Sequence, residues 1–291
     1  MTLIEMVQAQ SARLEQAGVS FGHGTANAFD EAAWLALWAL DLPLNALDEH
    51  AQRPLSEFEE SDIESLVKRR IETRKPAAYL TREAWLQGVA FYVDERVIVP
   101  RSFIAELIAD ATLDVWLQPN ARRALDLCTG NGSLAVLAAL AWPQLAIDAA
   151  DVSEQALMVA RVNVDKHELG ERITLLHSDL MDGVNGSYDL VLCNPPYVNA
   201  VSMAALPAEY HAEPSLALAG GSDGMDLVRR VLREAPPHMS EHAALVLEIG
   251  NERDNFERAF PRLEAIWLET TAGADQVLLL TREQLRGWIE A

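Results

Sequence analysis

The sequence predicts an α/β protein, with a parallel sheet wrapped by helices on both faces behind a small helical domain and a β-hairpin connector. Three observations predict it. From residue 102 onward, short apolar strand-like runs alternate with helical segments, the pattern of a parallel sheet joined by helical crossovers. Residues 1 to about 80 carry helical periodicity and no strand-like run. Between the two, AFYVDERVIVP alternates apolar and polar positions as a hairpin does. The predicted division is 1–82 helical, 83–101 connector and 102–291 sheet domain.

In chain order, MTLIEMVQAQSARLEQAG opens with apolar positions at helical spacing and early acids. DEAAWLALWAL (30–40) places Trp34, Leu37 and Trp38 on one helix face, expected to be core. SEFE (56–59) fits a capping box, and Ile63, Leu66, Val67 and Ile71 follow at helical spacing. The KRR run at 68–70 on that helix reads as a solvated face. Asp94, Glu95 and Arg96 are the expected turn of the hairpin. The predicted strands are 124–128, 146–152, 173–179, 188–193 and 244–250, with helical segments such as 153–167 between them. Two later apolar runs, 263–269 and 276–281, are joined by a short segment containing Gly273 and fit an antiparallel pair closing the sheet.

The bulk properties exclude several classes. The chain has 291 residues, half of them hydrophobic, and no apolar run near the roughly 20 residues of a membrane span. Its start lacks the basic segment and apolar block of a secretion signal, so a cytoplasmic protein is expected. Cys128 and Cys193 form no CxxC pair and read as buried free thiols inside strands. The seven histidines show no metal-ligand spacing, and His23 in FGHGT reads as a loop or capping residue. A net charge of −21 suits a basic protein partner better than nucleic acid, which calls for a basic face.

The chemistry-bearing residues fall just after the strands, where ligands bind in open α/β sheets. The first strand of the sheet domain ends in CTGNGS, whose Gly130 and Gly132 allow a tight turn with close backbone approach. The second ends at Asp151, 21 residues beyond Gly130, where a carboxylate can accept from both hydroxyls of a ribose. The third ends at Asp179 in HSDL, suited to an exocyclic adenine amine. The fourth, LVLC, runs into Asn194, Pro195, Pro196 and Tyr197. Gly130, Gly132 and Asp151 alone fit a dinucleotide or S-adenosyl-L-methionine equally well.

The Asn-Pro-Pro-Tyr segment separates the two. Prolines stop the strand and withdraw backbone donors, leaving carbonyls free. An amide or exocyclic amine is a poor nucleophile because its lone pair is delocalised. With its two hydrogens accepted by the Asn194 side-chain carbonyl and a proline-turn carbonyl, its lone pair can face a sulfonium methyl. Positioning and electrostatics of this kind supply several kcal/mol. No strong general base is needed, because the alkylated nitrogen sheds its proton readily. Tyr197 is suited to pack against the flat target group. Glu248 in LEIG is a further strand-end acid without an assigned role.

On these residues the chain resembles the N(5)-glutamine methyltransferases, the family named after HemK. The likeness spans nearly the whole sequence and includes VPRS (99–102), LDLCTGNG (125–132) and NPPYV (194–198). Within the family it looks most like the branch acting on the third protein of the large ribosomal subunit. The segments FGHGTANAFDEA (21–32), PAAYLTREAW (76–85), FYVDERVIVPRS (91–102) and LPAEYHAEPSLALAGGSDGMDL (206–227) suggest that branch. The resemblance implies a seven-stranded class I methyltransferase sheet and a helical domain that selects the protein substrate. It implies cofactor contacts from Asp126, Cys128, Thr129, Gly130, Gly132, Asp151 and Asp179, with Asn194 and Arg101 beside them. It implies that Asn194, Pro195, Pro196 and Tyr197 hold the glutamine, and that Pro100 borders the site. Two positions depart from the family pattern: Asn131, where serine is commoner, and TAGADQV (271–277), where a glycine-rich turn is usual.

The expected activity is methylation of a glutamine side-chain amide in a large-subunit ribosomal protein, before or during assembly, without sequence-specific nucleic acid binding. Release-factor glutamine methylation is the alternative within the family. Adenine amino-methylation, which the same Asn-Pro-Pro-Tyr suits, is disfavoured by the charge. A NAD-dependent oxidoreductase leaves that segment without a use.

Overall fold

The computed structural model describes residues 1–290. The N-terminal helices are α1 (Leu3–Gln16), α2 (Ala28–Ala39), α3 (Leu47–His50), α4 (Glu57–Thr73) and α5 (Ala77–Thr81). Reciprocal capping boxes start α1 at Thr2 and Glu5 and α4 at Ser56 and Glu59, so the SEFE reading holds. Leu3, Met6, Val7, Leu14, Leu37 and Ile63 form their shared core. Two expectations fail here. Trp38 is 41% exposed, since the twelve-residue α2 turns that end of its face to solvent. Arg70, expected on a solvated face, is fully buried and donates to Glu31 at 2.7 Å. Charge density in the sequence could not show that α4 turns this one cation inward to a carboxylate 39 positions away.

The connector is a hairpin of β1 (Glu83–Leu86) and β2 (Val89–Tyr92), antiparallel, with Leu86 opposite Val89. Its turn is Gln87-Gly88, both left-handed at φ 50° and 75°, the tight two-residue type that matches strand twist. The expected turn at Asp94–Arg96 is instead a second bend after the hairpin. Asp94 accepts from the Arg96 backbone and guanidinium there. Val93, Val97 and Val99 continue the N-terminal core onto Ala156 and Val159.

The remaining chain alternates α6 (Ile104–Ala109), β3 (Arg123–Leu127), α7 (Ser133–Ala141), β4 (Ala146–Asp151), α8 (Glu154–Lys166), β5 (Ile173–His177) and β6 (Tyr188–Cys193). It ends with α9 (Ala200–Ala205), α10 (Asp226–Glu234), β7 (Met239–Glu248), α11 (Arg253–Ala259), β8 (Ile266–Thr270), β9 (Gly273–Thr281) and α12 (Arg282–Glu290). The seven-stranded sheet has the order β5-β4-β3-β6-β7-β9-β8. Strands β3 to β7 are parallel, and β9 pairs antiparallel with both β7 and β8. Along β6, Leu190 and Leu192 enter one core layer and Val191 and Cys193 the other, as a strand covered on both faces must. Cys128 lies one residue past β3 at φ 57°, outside the strand expected to hold it, while Cys193 is buried within β6. The chain reverses direction across the sheet between β3 and β6, and their carboxyl ends define the crevice where ligands bind.

Candidate active site

The turn after β3 is built by three left-handed residues, Cys128, Gly130 and Gly132. A Cβ on Gly132 would come within 3.2 Å of the Ala160 Cβ, so the absent side chain lets α8 close on the turn. Asp126 braces it from behind: its Oδ2 accepts from Thr129 Oγ1 and from the Ala135 amide at 3.1 Å. Its Oδ1 has no partner among the described residues, and burial pushes the carboxyl up to about 7. Asp151, at the end of β4, accepts from the Gly130 amide at 2.9 Å through one oxygen and the Ser153 amide at 2.8 Å through the other. Each oxygen keeps an acceptor site for a ligand. Burial raises its carboxyl as well.

These groups open onto a cavity of about 260 Å³. Cys128, Gly130, Asp151, Asp179 and Asn194 line it, with Val152, Leu180 and Leu227 among its apolar walls. Arg96, Val97 and Ile98 complete it from the bend after the hairpin. Asp179 stands at the rim, paired to Arg230 at 2.8 Å. Asp126, Thr129 and Gly132 form the back of the turn and shape this wall from behind.

A second cavity of about 190 Å³ lies on the other side of Asn194. Asn194, Ile98 and Ala217 line both. Pro195, Tyr197, Tyr210, Glu248 and Arg101 line the second. Arg101, expected among the cofactor contacts, thus faces this side, where its guanidinium is held by Glu213 through two bonds of 2.6 and 2.7 Å. Tyr197 is fixed tightly. A Cβ on Gly250 would lie 2.5 Å from its ring, and one on Gly220 2.7 Å from its backbone. Its hydroxyl donates to Glu248 Oε1 at 3.3 Å, and burial holds the phenol protonated. Glu248 Oε2 accepts from Ser102 Oγ at 2.6 Å and the Phe103 amide at 2.9 Å; burial pushes its carboxyl up.

The roof of the second cavity is the segment 206–218, and two buried glutamates tie it down. Glu213 also accepts from the Val99 amide at 2.9 Å, while His23 Nε2 stands 3.5 Å away. Burial alone would raise the Glu213 carboxyl, but the Arg101 guanidinium and the His23 ring outweigh it and hold it at about 2. Glu209 accepts from Ser20, Arg70 and Arg74. Between these carboxylates, the Tyr210 ring packs 4.3 Å from the His23 ring and 5.3 Å from the Arg101 guanidinium carbon. His23 is therefore a loop residue, as expected, but a buried one. Asn163 of α8 adds another tie. It exchanges hydrogen bonds with the Tyr92 amide and carbonyl and donates to the Asn131 carbonyl at 2.8 Å. Glu209, Tyr210, Glu213 and Asn163 carry no local signal of these roles; only the 206–227 segment as a whole stood out in the sequence.

Two cavities meeting at one side-chain amide suit transfer of a group between two bound molecules. With a parallel-then-antiparallel sheet of this order and a glycine turn after its first strand, the fold is that of the class I methyltransferases. Residues 108–210 match the family model described as Methyltransferase small domain, and residues 5–81 the PrmC N-terminal domain. The solved catalytic domain of hMettl16, in complex with the MAT2A 3'UTR hairpin 6, is alike in fold. It has a TM-score of 0.55 at 14% identity, over 85% of this chain and 91% of that one. The ribosomal protein uL3 glutamine methyltransferase of Bordetella pertussis is 53% identical, over 98% of this chain and 96% of its own length. Those of Burkholderia pseudomallei and Neisseria gonorrhoeae are 49% and 48% identical over 98% of the chain. The chain belongs to this family of glutamine methyltransferases.

Proposed function

We propose that this protein transfers the methyl group of S-adenosyl-L-methionine to the side-chain amide nitrogen of a glutamine in ribosomal protein uL3. The position of Asn194, in the wall common to both cavities at the end of β6, carries this reading. The larger cavity fits the cofactor. The position where a Gly130 side chain would stand is open, carboxylate acceptors lie at Asp151 and Asp179, and the walls are apolar. When bound, the cofactor supplies an electrophilic methyl group on a sulfonium. Asp151 would accept from the ribose hydroxyls and Asp179 from the adenine amine. Cys128 and Gly130 line the turn, and Asp126, Thr129 and Gly132 set its shape.

On the other side, the glutamine amide enters the smaller cavity. Its two N–H groups donate to the Asn194 Oδ1 and to the Pro195 carbonyl, which turns the nitrogen lone pair toward the larger cavity. Pro196 makes that carbonyl pair rigid, and Tyr197 packs on the flat amide. Arg101 holds the roof through Glu213 rather than touching the cofactor. Water exclusion by the roof strengthens these polar contacts. Transfer would form the N–CH3 bond as the S–CH3 bond breaks, leaving the cofactor as a neutral thioether. The acidic alkylated nitrogen would then give its proton to water, so no side chain is assigned as a strong base.

A basic uL3, free or assembling, is the substrate form that an enzyme of net charge −21 attracts, and a ribosomal substrate supports a cytoplasmic site of action. No sequence-specific contact with nucleic acid is part of the reading. The test is a methyl-transfer assay with labelled cofactor on purified uL3, a peptide release factor and an adenine-containing oligonucleotide. Label on a glutamine of uL3 alone is the expected result. Label on the release factor keeps the chemistry and discards the substrate, and label only on the oligonucleotide discards both.

A further inference from the structure

A third cavity lies away from the two at the strand ends, at the junction of α2 with the hairpin. It measures about 310 Å³ and is walled by Phe29, Trp34 and Trp85, with Asp30 at its edge and Leu44 and Leu47 beneath. Phe29 and Trp85 are 39% and 44% exposed, high for large aromatic residues. The Trp85 indole is oriented by its bond to Glu83 Oε1 at 2.8 Å. Among the described residues, no Lys or Arg lines the cavity, so its acid edge has no cation of its own there. Three aromatic walls and a carboxylate form the environment that takes up a cationic side chain, by cation–π attraction, packing of the aliphatic stem and ion pairing.

One loop links the cavity to the roof of the transfer site. Gly24 and Thr25 line it, and they belong to the same loop as Gly22 and His23. His23 packs at a tilt against Tyr210 in the roof of the smaller cavity, and a Cβ on Gly22 would stand 3.2 Å from the Tyr210 hydroxyl. One loop of the FGHGT segment therefore separates the aromatic cavity from the roof over the glutamine.

We propose that the cavity walled by Phe29, Trp34 and Trp85 is an anchor site for a lysine or arginine side chain of the protein substrate, on a segment distinct from the one bearing the target glutamine. This rests on the reading of uL3 as substrate. A ribosomal protein is basic, the enzyme is strongly acidic, and the cavity supplies one place where that complementarity becomes a specific contact. The anchor contributes affinity and register and leaves the chemical step alone.

Asp30→Asn and Trp85→Ala test the anchor, with Trp38→Ala, about as exposed as Trp85 and on the helix that carries Asp30 but outside the cavity, as control. Steady-state methylation of uL3 is expected to show a KM raised about tenfold by each of the first two, the usual size of losing one anchoring contact. Their kcat and cofactor affinity should stay within about twofold of wild type, and Trp38→Ala should match wild type throughout. A loss of kcat in parallel with KM would point to a folding defect; circular dichroism identifies it, and the milder Trp85→Leu then decides. Methylation of uL3 by the wild type with KM unchanged in these variants overturns the anchor and spares the proposed function. Absence of uL3 methylation by the wild type overturns both. A wild-type dimer that Trp85→Ala turns into a monomer assigns the cavity to a second copy and also overturns the anchor.

Discussion

Asn194 lines both cavities and Asp151 only the larger, so on the proposed function their variants should separate. Asn194→Ala removes the acceptor proposed for the reacting nitrogen, so kcat should fall by about 100-fold or more, with cofactor Kd within severalfold. Asp151→Ala should weaken cofactor binding in isothermal titration by about tenfold or more, the loss of two charge-assisted hydrogen bonds. The reverse pattern would mean that the roles are exchanged. Asp126 allows a prediction about pH. Its folded carboxyl titrates at about 7 against an ordinary 3.8, so the folded state holds the proton more tightly than the unfolded one. That stabilisation is complete below 3.8 and is lost as pH rises through about 7. Thermal unfolding of the cofactor-free protein between pH 4 and 8 should therefore show a decline that Asp126→Asn flattens. Asn194, Asp151 and Asp179 were legible in the sequence because each follows an apolar run whose end it marks. The pairing of Arg101 with Glu213 was not legible, because nothing local in VPRS indicates a partner 112 positions away.

At the level of elements, the roof segment and α4 depend on each other through buried charge. Arg70 is fully enclosed and shared between Glu31 and Glu209. Removing Glu31 leaves the buried guanidinium only the longer ion pair with Glu209 at 3.4 Å, itself shared with Arg74, so Glu31→Ala should cost about 3–5 kcal/mol in urea unfolding. Replacing Arg70 and both glutamates together by apolar residues of similar size should cost far less. A loss below about 1 kcal/mol for Glu31→Ala would show that the site relaxes to admit water. The strands and helices of the sheet domain were readable because their periodicity is local and their ends carry turn residues. The edge pair was anticipated too, although its joining turn departs from the family pattern. The hairpin was found in outline but its turn was misplaced: Asp94 looks like a turn residue and is one, yet Gln87-Gly88 takes the two-residue turn. The buried ion pairs were invisible because a KRR run has the same composition whether or not its third residue faces inward.

For the whole molecule, an excess of 21 negative charges implies a long-range attraction for a basic substrate. The kcat/KM for uL3 should fall by about tenfold between low and physiological salt while kcat holds, since steering acts on encounter. An insensitive kcat/KM would remove steering from the account. The roof clamp has another consequence for the molecule as a unit of inheritance. Glu209 and Glu213 lie in the sheet half of the sequence, but most of their partners, Ser20, Arg70, Arg74, Val99 and Arg101, come from its first 101 residues. A chimera that joined the front of this chain to the back of a relative lacking these acids would strand several donors in a dry interior. Recombination between such relatives should therefore succeed only where residues 206–218 travel with the front half. The crossover point that looks natural in the sequence, near residue 102, cuts through the part of the molecule least able to be divided.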